Sequence, residues 1–171
     1  MARIGYADPD DLTGELKDWY DRLPPNPRMF LTLALAPGTA DLFMKLGTAI
    51  HDTLELPERL VEIDAAVVTQ VAGSAYLLKR HHPPANTLTT VERNALLAGA
   101  GPDDIESFDD RDRAVHRFVK ALIDSPRVDD TTFADAQLEL SDRELVELIQ
   151  THGYYWMLAQ LDCTLRLADN P

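Results

Sequence analysis

The residue types that can act at neutral pH are concentrated in one stretch, Pro57 to His82, PERLVEIDAAVVTQVAGSAYLLKRHH. It holds a carboxylate, Glu62, a hydroxyl, Ser74, a phenol, Tyr76, and two of the chain's five histidines, His81 and His82. Imidazole titrates near neutral pH, and a neighbouring carboxylate orients it and supports its charged form, so Glu62 and His81 make a candidate general acid–base pair. The competing reading of His81 is a satisfied histidine at a helix end beside two prolines. That of Glu62 is a surface acid paired with Arg59 or Lys79. Tyr76 reads equally as a hydrogen-bond donor to a developing oxyanion and as a half-buried packing aromatic. Ser74 suits a helix N-cap better than a nucleophile, because no sequence feature supplies an oxyanion hole.

Two helices and a break must position these groups. Pro57 suits a first helical turn, and Leu60, Ile63, Val67 and Val71 recur at helical spacing, which predicts one buried face. Gly73 ends that helix. Ser74 caps a second, short helix that Pro83 and Pro84 stop after His82. Glu62 then lies about three turns before the hinge, and Ser74, Leu77 and His81 share a face beyond it, so a carboxylate can face an imidazole across a bend.

This spacing resembles the signature of the carboxymuconolactone decarboxylase and AhpD-like family. There a Glu is followed, after eleven intervening residues, by Cys-x-x-Cys-x-x-x-His, positions held here by Glu62, Ser74, Leu77 and His81. Leu56-Pro57-Glu58-Arg59-Leu60-Val61-Glu62 is similar to the family's L-P-x-R-x-x-E, and Gly73-Ser74-Ala75-Tyr76 to the G-S-x-Y of cysteine-free branches. Glu144-Leu145-Val146-Glu147-Leu148 with Gly153-Tyr154-Tyr155 resembles the closing helix. The resemblance spans residues 25 to 168 and implies an all-α, AhpD-like helical bundle of about seven or eight helices. It also implies a homo-oligomer, a dimer, trimer or hexamer, with the pocket near a subunit boundary. Both redox cysteines are missing, so thiol peroxidase activity is not expected. The stretch after His82 is longer than the family pattern.

The remaining segments also read as helices. Thr13 caps one from Gly14 to Arg22, and Met29 to Leu35 and Gly38 to Thr53 follow, the latter with Leu42, Leu46 and Ile50 as its inward stripe. Met29 to Leu33 is similar to the family's opening helices, which line the pocket and so bring in Phe30. Thr89 or Thr90 caps Val91 to Ala98. Asp109 to Ile123 carries Ala114, Phe118, Ala121 and Leu122 inward, and Thr131 or Thr132 starts a short helix. Ser141-Asp142-Arg143-Glu144 is a capping box opening the longest helix, to about Leu167, with Leu145, Ile149, His152, Trp156, Ala159 and Cys163 as its stripe. His152 on that stripe reads as a satisfied core or pocket-lining histidine.

A chain of 171 residues is long enough to bury a core without disulfides or metals, here as a 1–24 N-terminal helical extension followed by a single domain over 25–171. Its formal charge of −13, from 16 basic and 29 acidic residues, argues against nucleic-acid backbones and anionic membranes as partners. One cysteine and no long apolar run lead to the expectation of a soluble, cytoplasmic protein. No metal is expected, since adjacent His81 and His82 point apart on a helix, and no cofactor motif is present. The expected function is a cofactor-independent enzyme acting on a small organic molecule by His81/Glu62 proton transfer, of the decarboxylase, isomerase or dehydratase kind. Tyr76 or His152 would hydrogen-bond the oxyanion, and Ser74, Leu77, Phe30 and Trp156 would complete the substrate site. The alternative is a non-catalytic binding or assembly protein that lost its redox cysteines.

Overall fold

A computed structural model of the chain describes residues 2–25, 27–80 and 87–167. Among the described residues there are nine α-helices and two short 3-10 turns, and no strand. The helices are α1 (Gly14–Arg22), α2 (Arg28–Leu33), α3 (Pro37–Asp52), α4 (Glu58–Ala72), α5 (Ala75–Arg80), α6 (Thr90–Leu97), α7 (Asp110–Asp124), α8 (Asp130–Glu139) and α9 (Asp142–Leu165). The count agrees with the helices read segment by segment and exceeds the seven or eight that the resemblance implies, with α2 and α5 short pieces of six residues each. No helix among the described residues is long and apolar enough to cross a membrane.

Local chemistry sets most of the boundaries. Pro37 opens α3, where its missing N–H is not needed. Gly73 ends α4 in the left-handed conformation at φ 67°, which favours glycine, and Ser74 Oγ then accepts the Leu77 N–H at 3.2 Å. Reciprocal capping boxes open α6 (Thr89 with Glu92) and α7 (Asp109 with Asp112). Asp129, rather than Thr131 or Thr132, caps α8 by accepting both threonine N–H groups. The Ser141–Glu144 box stands as expected at α9, where Ser141 N–H donates to Glu144 at 2.9 Å and Glu144 N–H donates to Ser141 Oγ at 3.2 Å.

The described residues pack as two compact units, one within residues 1–53 and 161–171, the other within 54–160. In the first, Leu12, Phe30, Leu31 and Ala34 form a core sealed by Tyr6, Trp19, Tyr20 and Met44. Trp19 Nε1 donates to Asp41 at 2.9 Å, tying α1 to α3. The inward face of α3 is Ala40, Phe43, Gly47 and Ile50, so of the expected stripe only Ile50 is buried. Leu42 and Leu46 fall about 100° round the helix from Phe43 and Gly47 and are exposed.

In the second unit α4 is buried from Leu60 to Thr69 and packs against α6 and α7, while α7 packs against α8. Val71 emerges to solvent where α4 ends. Arg59 joins these helices. Its Nε and Nη2 donate to Asp112 on α7 at 3.0 and 2.7 Å, Nη2 also reaches Glu92 on α6 at 2.7 Å, and Nη1 donates to the Thr87 carbonyl at 2.6 Å. The Leu56 N–H donates to Glu147 of α9 at 2.8 Å, fixing the approach to α4. On α9 the buried stripe is Leu145, Leu148, Thr151, Tyr155, Leu158 and Ala159, with His152 beside it. The expected Ile149 and Cys163 are exposed, because the true stripe is turned about one residue round the helix.

The Arg59 guanidinium holds the buried Glu92 carboxyl down at about 2, with the Thr89 and Ser107 groups assisting. Depression of a folded-state carboxyl stabilises above the unfolded range near 4.3, and that stability is lost as pH falls from there toward 2. Replacing Arg59 by Gln leaves two buried carboxylates without their cation and should lower the unfolding free energy by about 3 kcal/mol at pH 7. Urea titration of the two proteins as a function of pH should show this gap narrowing between pH 4.5 and pH 2, as the Glu92 carboxyl protonates.

Candidate functional site

The hinge between α4 and α5 is built as its sequence implies, with Gly73 left-handed and Ser74 buried beneath the first turn of α5. Ser74 Oγ is an acceptor for the Leu77 N–H, the geometry of a cap. Leu77 is buried and Tyr76 half-buried on the same short helix. His81 and His82 lie outside the described residues.

Glu62 is 2% exposed in the middle of α4. Arg59, one of its two sequence-level partners as a surface acid, is committed to Asp112 and Glu92 instead. The phenol of Tyr155 on α9 is raised well above its ordinary value, first by burial and then by the Glu62 charge, with Tyr154, Asp64 and Glu58 adding to it. Tyr154 meets Tyr155 edge to face with ring centroids 5.4 Å apart, and burial, with Tyr76 nearby, pushes its phenol up to about 12. At neutral pH each of these two raised phenols keeps its proton and can donate it in a hydrogen bond.

A second acid–base element lies on the same pair of helices. Asp64, 0% exposed on α4, sits with Oδ1 2.9 Å from Nδ1 of His152 on α9. A carboxylate can only accept, so this contact puts a proton on Nδ1 and leaves the Nε2 lone pair of the neutral ring outside the bond. Trp156, one turn on, stacks on the imidazole at 6.1 Å and 17°. The imidazole is thus held in one tautomer and one orientation by a buried carboxylate, with an indole stacked beside it.

His152 and Trp156 thus come together, whereas Phe30 is packed within the first unit's core, its ring 6.4 Å from that of Tyr20. Sequence reasoning missed Asp64, Tyr154 and Tyr155 as members of the site. Asp64 had a visible signal, an acid inside the apolar run Ile63 to Val68 of a helix with no polar side. The two tyrosines had only their place after the Glu144 to Leu148 word.

Removing the Asp64 carboxylate should release His152. In Asp64→Asn, the Nδ1–H resonance of His152, expected to be downfield and slow to exchange in the parent protein, should be lost from proton–nitrogen spectra. His152→Leu, which takes a donor from a buried carboxylate, should lower stability by about 2 kcal/mol in thermal unfolding.

A solved structure of a protein of unknown function from Agrobacterium tumefaciens, provisionally placed with the antioxidant defence protein AhpD, is similar to this chain. The TM-score is 0.66 at 17% sequence identity, over 76% of this chain and 89% of that one. The likeness shows the fold, which is AhpD-like and all-helical. No protein-family model matches the chain, and no curated protein matches its sequence.

Proposed function

We propose that this AhpD-like chain is a cofactor-independent enzyme that moves a proton on a small organic molecule, in a decarboxylation, isomerisation or dehydration next to a carbonyl. The observation that carries the reading is the burial of Glu62, a carboxylate 2% exposed in the interior of α4, whose charge adds to the rise of the Tyr155 phenol. Burying an acid in a helix core is unfavourable unless the site uses or satisfies its charge, and sites that transfer protons are where such groups concentrate. His81 is the general base or acid on this reading, Glu62 orients it, and Tyr76 donates to the oxyanion that develops as the C–H or C–C bond breaks. Leu77 and Trp156 supply apolar surface that keeps water from the reacting carbon.

A thiol-based reaction has little to support it. Cys163 is exposed, yet burial of its sulfur and the Asp162 charge raise the thiol's pKa, which lowers the fraction of reactive thiolate. Assembly as a homo-oligomer belongs to the proposal and is supported by the exposed apolar side chains Leu42 on α3 and Val146, Ile149 and Met157 on α9. One feature favours a second reading, a ligand-binding scaffold without turnover: Leu77 fills, fully packed, the place where a reactive group would stand.

Native mass spectrometry of protein purified gently from its own host reads subunit number and any retained organic molecule together; a ligand-free monomer would count against both the assembly and the pocket. With that molecule as substrate, Glu62→Gln and His81→Ala should each lower kcat by about a hundredfold or more while the fold is kept. Tight binding with no turnover by the parent chain would select the scaffold reading. Turnover unchanged in His81→Ala would remove His81 from the mechanism.

A further inference from the structure

His152 borders an exposed apolar shelf on α9. Positions 149, 152, 153 and 156 follow the i, i+3, i+4, i+7 pattern and so lie along one side of the helix. Ile149 is 44% exposed, Trp156 is half-buried, and Gly153 is exposed, with nothing within 4 Å of where its Cβ would stand. The shelf thus has an indole at one end, an isoleucine at the other and open room over the glycine between them. Glycine inside a helix costs about 1 kcal/mol against alanine, and no close-packed neighbour requires it here.

The imidazole stands at the inner edge of this shelf. Its Nδ1 is committed to Asp64, a carboxylate 0% exposed, at 2.9 Å. Its Nε2 has no hydrogen-bond partner among the described residues and is not shut away from solvent as the Nδ1 of His116 is. One nitrogen is therefore fixed as the donor, and the other is left as a lone pair at the surface. A carboxylate that holds an imidazole in the tautomer with its second nitrogen bare is what a general base requires. Trp156 lies with its ring plane 17° from that of the imidazole, so a flat molecule on the shelf would meet the indole and Nε2 together.

We infer that His152 is a proton-transferring catalytic residue, positioned by Asp64, for a flat conjugated carbonyl compound lying along Ile149, Gly153 and Trp156. The inference rests on the proton-transfer reading and narrows it to isomerisation. Nε2 takes the proton of a C–H next to the carbonyl, and the C–H electron pair moves through the conjugated system onto the carbonyl oxygen. The same proton then returns from Nε2 to a different carbon as that electron pair moves back. The double bond has shifted, no atom is gained or lost, and no co-reactant is needed. Through the step the imidazolium keeps its Nδ1–H on the Asp64 carboxylate. Ile149 also borders the face given above to assembly, so a second copy docked along Val146 and Met157 would roof the shelf.

The test uses the full chain with nitrobenzisoxazole, a flat carbon acid that gives up its ring C–H proton to a base as its N–O bond opens to a coloured phenolate. The parent chain should open it with saturation, about a hundredfold faster than free imidazole at equal concentration. His152→Gln, which can still donate to Asp64, should lower kcat at least about thirtyfold, and Asp64→Asn about tenfold with KM little changed. Gly153→Leu fills open space, keeps the fold and should raise KM severalfold. Diethyl pyrocarbonate, which acylates only a bare imidazole nitrogen, should label His152 in the folded protein, a reaction that a merely structural histidine would not give. Opening no faster than with free imidazole, unchanged kcat in His152→Gln, unchanged KM in Gly153→Leu, or an unlabelled His152 would each overturn the inference. Loss of turnover in His81→Ala with none in His152→Gln would overturn it and leave the proton-transfer reading standing, and the opposite pattern would support His152 and remove His81 from that reading.

Discussion

The second unit depends on one guanidinium. Arg59 enters at the first turn of α4 and reaches Glu92 of α6, Asp112 of α7 and the carbonyl of Thr87, and its charge lies over the Phe108 ring at 5.6 Å. Both carboxylates are themselves the third residues of capping boxes, so each bond that holds Arg59 also closes a helix start. The planar fork of arginine suits this bidentate pattern where the ammonium of lysine would not. Once α4 is pinned this way at its N-terminus, its rotation is set, and with it the direction of every polar side chain further along.

That rotation matters because α4 offers no polar face on which to leave an acid. From Leu60 to Thr69 it is buried all round, so Glu62 and Asp64 both lie in the interior. The long helix α9 meets this demand at Asp64 with His152, which is bonded to it at 2.9 Å. Glu147, on the same helix, receives the Leu56 N–H at the other end of the contact. The approach to α4 and the Asp64–His152 contact are thus both held by the same long helix.

The words that resemble a known family divide on inspection into scaffold and site. In Leu56-Pro57-Glu58-Arg59-Leu60-Val61-Glu62, Leu56 and Arg59 are structural, and Glu62 is the acid buried in the helix interior. In Glu144 to Leu148, Glu144 completes a cap and pairs with Arg111, and Glu147 binds Arg143 and Leu56. Short motifs of this kind report the fold, which is why they agree with a structural likeness at only 17% identity.

The sequence alone determined what depends on neighbours a few residues apart. The helix list, the hinge at Gly73-Ser74, the Ser141 box and the buried places of Leu60, Ile63 and Val67 were all legible, because caps, glycine geometry and apolar periodicity act within a turn or two of chain. On α3 and α9 the stripes expected from periodicity were rotated from the buried ones, and Leu42, Leu46, Ile149 and Cys163 face outward, because which of two adjacent rows of a helix is covered depends on what packs against it. Only the tertiary structure decided which polar groups meet. Asp64 and His152 are 88 residues apart, and Arg59 and Asp112 are 53 apart. Nothing in either local segment specifies such a partner, because the pairing follows from how buried helices dock and from the free-energy cost of any interior charge left unmatched.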